Sequence, residues 1–254
     1  EYDISSKRKL LWKYELDMIE WLEDICKKNN LDYFFIGGSE LGVIRHQGFI
    51  PWDDDIDIGM LREDFDRFLA IVKDATEYDI QYGLNKSAKY YDKICRIRDC
   101  RTTGIVYDQV GIQCNQGVFI EIYPYDFVPE NKEQQKKHAQ KVDFIQNVLS
   151  SKLGHNNGKK WKLIATAFLL VPVNFFVDLL EKEYRRYTST NLVSTVTLPQ
   201  YYLSGSEVLP YDYVSSTRYE KFEYLQVRVP VEAEKCLEIE YGEYMTLPPV
   251  EERG

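Results

Sequence analysis

Ile50-Pro51-Trp52-Asp53-Asp54-Asp55-Ile56-Asp57-Ile58-Gly59 places four aspartates in five positions between apolar neighbours. From Asp55 to Ile58 acid alternates with isoleucine, the period of a strand with one polar and one apolar face. Asp55 and Asp57 then project together, with Ile56 and Ile58 on the other side. Two carboxylates held this close repel, and taking them out of water costs free energy unless a cation compensates. Oxygen donors suit a hard ion such as Mg2+, which takes one or two carboxylates and leaves room for waters and substrate phosphates. A pair of ions about 3.5–4 Å apart fits such an array as well. Two plainer readings compete. A solvated acidic turn leaves the interleaved isoleucines unexplained. A calcium loop accepts Asp53, Asp55 and Asp57, but Ile58 stands where that loop requires Gly, and Asp64 where it requires Glu.

The flanking sequence supports a metal-phosphate site. Tyr33-Phe34-Phe35-Ile36 reads as a short apolar strand, and Gly37-Gly38-Ser39 as the turn after it, with Ser39 capping a helix from Glu40 onward. Such a strand–turn–helix junction offers backbone N–H groups to phosphate, although most Gly-Gly-Ser triplets are ordinary turns. Arg45 and His46 lie between the two motifs, where either could meet phosphate charge; His46 reads equally well as a hydrogen-bonded structural histidine. Further on, Glu121 stands between Ile120 and Ile122 on an apolar strand, residues 117–123. It is a candidate third metal ligand or a base, against the plain reading of a solvent-facing strand residue. Asp126 is the alternative base.

The remaining pattern places these motifs in a mixed fold. Leu11, Tyr14, Met18, Leu22 and Ile25 recur at helical spacing across residues 7–29. Phe65, Phe68, Leu69 and Val72 give a second amphipathic helix, and residues 90–98 a strand carrying Lys93, Arg96 and Arg98. Residues 131–153 read as a polar helix, 154–158 as a boundary loop, and 160–190 as helical with a break at Pro172. Short strands follow from Arg218, then a last helix near 231–241. Without a regular βαβ alternation this is an α+β chain. Residues 1–153 form the core that carries the motifs. Residues 159–254 form a mainly helical C-terminal region packing on it.

Composition sets the outer limits. The chain has 254 residues and a net charge of −9, with 44% hydrophobic and 29% charged residues. That is globular chemistry, long enough for a large core without staples. The acidic balance argues against a non-specific nucleic-acid binder. Twenty Tyr, twelve Phe and four Trp suit half-wet pockets, or simply a tyrosine-rich core rim. Cys26, Cys95, Cys100, Cys114 and Cys236 are odd in number and hold no CxxC pair, and the opening residues are polar; together they point to a reducing, cytoplasmic compartment. The longest apolar stretch, 163–180, contains Pro172, Asn174 and Asp178, so it reads as a core or interfacial helix pair and not as a membrane span.

Taken together, Gly37-Gly38-Ser39-Glu40-Leu41-Gly42, the stretch from Arg45 to Met60, and Arg62-Glu63-Asp64-Phe65 resemble the LicD family of phosphotransferases. That family shares a nucleotidyltransferase-like fold with the fukutin-related proteins. The likeness is dense over 22–70, returns at 93–103 and 117–124, and echoes at 241–249. It implies a mixed sheet flanked by helices, and transfer of a phospho-alcohol from a CDP-linked donor to a sugar hydroxyl, with release of CMP. Asp55 and Asp57 correspond to the family's paired metal-binding aspartates, holding one or two Mg2+ ions, with Mn2+ as a substitute. Glu121 takes the third carboxylate position, where Asp is expected. Gly37, Gly38, Ser39, Arg45, His46, Trp52, Lys93 and Arg96 fall where the donor would be held. Choline is the favoured alcohol, because a quaternary ammonium is held by aromatic faces. Trp52, Tyr90, Tyr91, Tyr107, Tyr123 and Tyr125 are the rings at hand. The expected activity is therefore phosphocholine transfer from CDP-choline to a cell-surface glycan precursor of teichoic acid or lipopolysaccharide type. A lipid-linked acceptor would bring the protein to the inner face of the plasma membrane, with 163–180 as a peripheral contact. Phosphoribitol, phosphoethanolamine or phosphoglycerol as the transferred group, nucleotidyl transfer from a nucleoside triphosphate, and a binding module without turnover are the alternatives.

Overall fold

The stripe at 7–29 closes into helix α1, Ser6–Asn29, capped by the Ser5 side chain on Arg8 N and ended by Asn30 in the left-handed region. Its inner face (Trp12, Leu16, Met18, Ile19, Leu22 and Cys26) lies on a mixed sheet. The structure is a computed structural model that describes residues 4–106, 109–155, 158–205, 207–249, 251 and 253. Tyr107 and the centre of the 154–158 loop lie outside the described residues.

The first strand is short, β1 at Phe34–Phe35, and runs straight into α2 at Gly37–Leu41 and a π-helical turn at Gly42–His46. The acidic segment leads into β2, Asp57–Leu61, and α3 follows at Arg62–Val72. Then come β3 at Asp79–Asn85, β4 at Tyr90–Arg98 and β5 at Phe119–Val128. The order across the sheet is β1-β2-β5-β4-β3. β2 and β5 are parallel; β1 with β2, β5 with β4, and β4 with β3 run antiparallel.

Alternation divides this sheet into two unlike faces. Ile58, Met60, Cys95, Ile97, Ile120 and Ile122 meet α1 and α3 (Phe65, Phe68, Val72) in the largest apolar cluster. Asp57, Arg96 and Glu121 stand on the other face, in register: Asp57 opposite Glu121, and Glu121 opposite Arg96. The chemistry is therefore carried on the back of the core.

Two boundaries differ from the sequence pattern. The strand begins at Asp57, so Asp55 lies in the loop before it; Ile56 O is the last outlying acceptor, taking Glu121 N at 3.0 Å. β5 runs on through Pro124, which costs the ladder one donor but leaves every carbonyl.

The second half builds a flank. Helices α4 at Lys132–Leu153, α5 at Lys159–Ala167 and α6 at Val173–Tyr184 gather with α7 at Pro199–Ser204 around Val142, Ile145, Val148, Phe176, Leu180 and Tyr202. The break at Pro172 falls between α5 and α6, as the sequence indicates. This region is not helical alone. β6 at Leu192–Ser194 pairs with β5, β7 at Leu209–Pro210 pairs with β6, and α8 follows at Tyr211–Val214. The hairpin of β8, Thr217–Phe222, and β9, Leu225–Pro230, closes the core through Phe222, Val227 and Val229. The last helix, α9, is Ala233–Tyr241. All five cysteines are free.

Candidate active site

Parallel pairing of β2 with β5 brings Asp57 and Glu121 side by side from positions more than sixty residues apart. The Asp57 N–H donates to Ser39 Oγ at 2.9 Å, so the hydroxyl pins the aspartate's backbone. It does not cap the helix: α2 begins two residues earlier, with Ile36 at the cap position and Gly37 in the left-handed region at φ +57°. Asp57 Oδ1 is buried and without a hydrogen-bond partner among the described residues. Burial, and then repulsion from Asp55 and Glu121, hold the Asp57 carboxyl well above the usual carboxylate range.

The loop ahead of β2 is clamped from α1. Asp53 O accepts from Arg8 Nη1 at 3.0 Å and from Trp12 Nε1 at 3.1 Å. One carboxylate oxygen each of Asp53, Asp54 and Asp55 lies within 4.8 Å of the other two. Partial burial together with Asp53 pushes Asp55 up to about 7. Three loop carboxylates held together, with the buried Asp57 Oδ1 unpaired among the described residues, fit a divalent cation, whose charge would reverse these shifts.

Glu121 is held more firmly than a free ligand. Arg96 Nε donates to its Oε1 at 2.7 Å, and the Tyr123 hydroxyl donates to Oε2. Arg96 also grips Asp92 through Nη1. Arg96 is thus engaged with carboxylates where the resemblance gave it to the donor. Asp126, the alternative base, is not part of this cluster. It lies on the opposite face of β5, 2% exposed, in a bidentate pair with Arg62 at 2.8 and 2.7 Å.

Other expected residues divide between three cavities. The first holds Gly37, Gly38, Asp57, Tyr123 and Tyr125, with a volume of about 370 Å³. The second, about 510 Å³, is reached across Gly38 and holds Arg45 and Trp52 beneath the chain at 241–249. There Arg45 Nη1 donates to Tyr244 O at 2.7 Å, and the His46 ring meets Trp52 edge-on at 6.3 Å. Burial, then the charge of Arg45, lowers His46 below the ordinary histidine range, so it stands neutral. Lys93, Tyr90 and Tyr91 line a third cavity with α4 residues, among them Asp143 and Ser150, and do not join the carboxylates. A Cβ at Gly38 would lie 2.9 Å from Asp53 Oδ2, so a side chain there would displace that carboxylate.

Several contributors escape the sequence motifs. Glu15 is 1% exposed on α1 with Oε2 unpartnered among the described residues, and burial followed by the three loop aspartates pushes it up to about 9. Its signal was a carboxylate inside an apolar stripe, between Trp12 and Ile19. Tyr201, Glu207, Glu240 and Tyr241 reach the first cavity from the C-terminal half, and no local pattern marks them.

The sheet, with an acidic segment entering one strand and a Gly-Gly-Ser helix start beside it, belongs to an α+β fold. Residues 30–153 match the LicD/FKTN/FKRP nucleotidyltransferase domain. Over its greater length the chain is similar to the lipopolysaccharide cholinephosphotransferase LicD of Haemophilus influenzae, 27% identical over 262 aligned residues that cover 94% of this chain and 91% of that protein. It is also similar to two uncharacterized Rickettsia proteins. One, from Rickettsia typhi, is 31% identical over 50% of this chain and 38% of its own length. The other, from Rickettsia prowazekii, is 33% identical over 52% and 45%. Among the described residues no helix is long and apolar enough to cross a membrane.

Proposed function

We propose that this protein is a phosphotransferase that moves phosphocholine from CDP-choline to a hydroxyl of a cell-surface glycan precursor and releases CMP. The observation that carries the reading is the carboxylate array at the entry to β2 in a chain that aligns over nearly its whole length with a cholinephosphotransferase. Asp55 and Asp57, with the neighbouring Asp53, would hold Mg2+; bound there, the ion supplies charge neutralisation for the diphosphate and the departing CMP.

The chain's own groups do the rest. Gly37 and Gly38, at the start of α2, line the first cavity, and their backbone N–H groups would hold the donor's non-reacting oxygens. In the transfer, the acceptor oxygen forms a bond to the choline-bearing phosphorus. The bond from that phosphorus to the bridging oxygen breaks, and its electron pair leaves with CMP. Glu121 would take the hydroxyl proton. Arg96 and Tyr123 fix its orientation, each donating to one of its oxygens.

Thermal shift in the presence and absence of Mg2+ tests the donor, with CDP-choline, CDP-ribitol, CDP-ethanolamine, CDP-glycerol and CTP compared. A ligand at a hundred times its Kd adds about 2.7 kcal/mol, a rise of roughly 5–10 °C at this size. Metal-dependent stabilisation by CDP-choline above the other donors is expected. Stabilisation by CTP alone would overturn the reading in favour of nucleotidyl transfer. In a CMP-release assay, Asp55→Asn is expected to lower turnover at least on the order of a hundredfold with an unchanged melting temperature. Wild-type turnover in that variant would remove Asp55 from the metal site.

A further inference from the structure

We infer that the cavity walled by Tyr123, Tyr125, Tyr201, Tyr241, Glu207 and Glu240 is the subsite for the quaternary ammonium group of the donor, and that the C-terminal half of the chain therefore sets which alcohol is transferred. The inference rests on the phosphocholine reading above.

Four aromatic rings and three carboxylates, counting Asp57, line this cavity, and none of the described residues lining it is Lys, Arg or His. An acidic chamber without a basic partner has an electrostatic deficit that a cation would fill. A metal at Asp57 would leave Glu207 and Glu240 still unmatched. Their own contacts are to hydroxyls: Thr195 Oγ1 donates to Glu207 Oε2, and Glu240 pairs with the Tyr241 phenol. Burial, followed by the facing Glu207, pushes Glu240 up to about 7.

The walls choose between kinds of cation. A hard metal seeks oxygen donors on every side. A trimethylammonium group cannot donate hydrogen bonds, and it gains from ring faces and a diffuse negative field. Burial, then the nearby carboxylates, holds the Tyr123, Tyr125 and Tyr241 phenols above their ordinary range, so each ring is neutral.

Placement agrees with the chemistry. Gly37 lines the same cavity as Asp57, and a Cβ at Gly37 would lie 3.7 Å from both Glu240 Oε1 and the Tyr241 hydroxyl. The subsite thus adjoins the helix start proposed for the diphosphate. The cavity across Gly38 has one cation, Arg45, and one acid, Glu243, in a mainly apolar wall, so it offers no comparable field. The cavity of Tyr90 and Tyr91 holds one acid, Asp143, and one cation, Lys93, so it offers no comparable excess of negative charge.

The test is calorimetric, on the whole chain with Mg2+, using CDP-choline, CDP-ethanolamine and CMP as probes. Tyr201→Ala and the double variant Glu207→Gln/Glu240→Gln are expected to raise the Kd for CDP-choline on the order of tenfold. CMP, which lacks the alcohol, is expected to bind as to wild type, which separates subsite loss from general damage. Tyr201→Phe keeps the ring and is expected to retain wild-type affinity. Variants that weaken CDP-choline and CMP equally, or neither, would overturn the subsite while leaving the donor assignment standing. So would a loss confined to the Mg2+ requirement, which would make the carboxylates a second metal site. Wild-type protein that binds CDP-choline no better than CMP, yet binds another CDP-alcohol tightly, would instead overturn the phosphocholine reading itself.

Discussion

Glu40 lies in α2, 2% exposed, with Oε1 lacking a partner among the described residues. Burial, with Glu240 and then Glu234 adding repulsion, holds its carboxyl well above the ordinary glutamate range. The folded protein therefore keeps this proton when the unfolded chain, with a pKa near about 4.3, has lost it. Between those two values the unfolded state binds fewer protons, and stability falls as pH rises. Glu40→Gln removes the titration without removing the volume. Its melting temperature is expected to exceed the wild-type value at pH 7.5 in EDTA and to converge on it toward pH 4.5. Calorimetry at the two pH values checks this. A gap independent of pH would mean that Glu40 ionises in the fold as readily as in the open chain.

At the scale of elements, β2 depends on how closely β1 can approach it. Gly59 pairs with Phe34, and a Cβ on Gly59 would lie 2.4 Å from the edge of the Phe34 ring and 3.0 Å from Ile36 Cγ2. Both neighbours are inside the sheet, where space is close-packed. Gly59→Ala is expected to cost about 1–3 kcal/mol by urea denaturation. It is also expected to weaken CDP-choline binding, because Asp57 is two residues away in the same strand. Wild-type stability would show that β1 can retreat. This strand was legible beforehand because acid and isoleucine alternate, and α1 because its stripe from Leu11 to Ile25 recurs over about four turns without a break. β3 was not, because its residues are mostly half-exposed and a register shift between Gln81 and Gly83 interrupts its pairing. The Asp57–Glu121–Arg96 row was legible as residue types but not as a pairing, since register is set by the assembled sheet. Tyr123 and Tyr125 stood out as rings near the motifs, but Tyr201, Glu207, Glu240 and Tyr241 did not, because they reach the cavity only through tertiary packing. Asp126 was the alternative to Glu121, and an odd separation of five residues along β5 sends it to the other face.

At the scale of the whole molecule, the segment 163–180 resolves into two surfaces. Its inner side, Ala165, Phe176 and Leu180, packs on α4. Its outer side and the turn between α5 and α6 leave Leu163, Leu169, Leu170 and Phe175 exposed, at 74, 73, 96 and 54%. Lys159, Lys160 and Lys162 are exposed toward the start of α5, within a turn of Leu163, in a chain whose net charge is −9. An exposed apolar hairpin tip with lysines further along the same helix would suit the interface of an anionic bilayer, to which a protein of this overall charge would otherwise be repelled. This is where a lipid-linked acceptor would be met. Flotation with phosphatidylglycerol vesicles is expected to carry wild-type protein at low salt, and vesicles of neutral phosphatidylcholine are not. Leu169→Ser/Leu170→Ser is expected to reduce the bound fraction on the order of tenfold or more, since each leucine contributes about 1.5–3 kcal/mol when fully withdrawn from water. Binding of CDP-choline in solution should be unaffected by the pair, because neither residue lines the donor cavity. Equal flotation of variant and wild type would remove the hairpin from membrane contact and leave the acceptor to be met in solution.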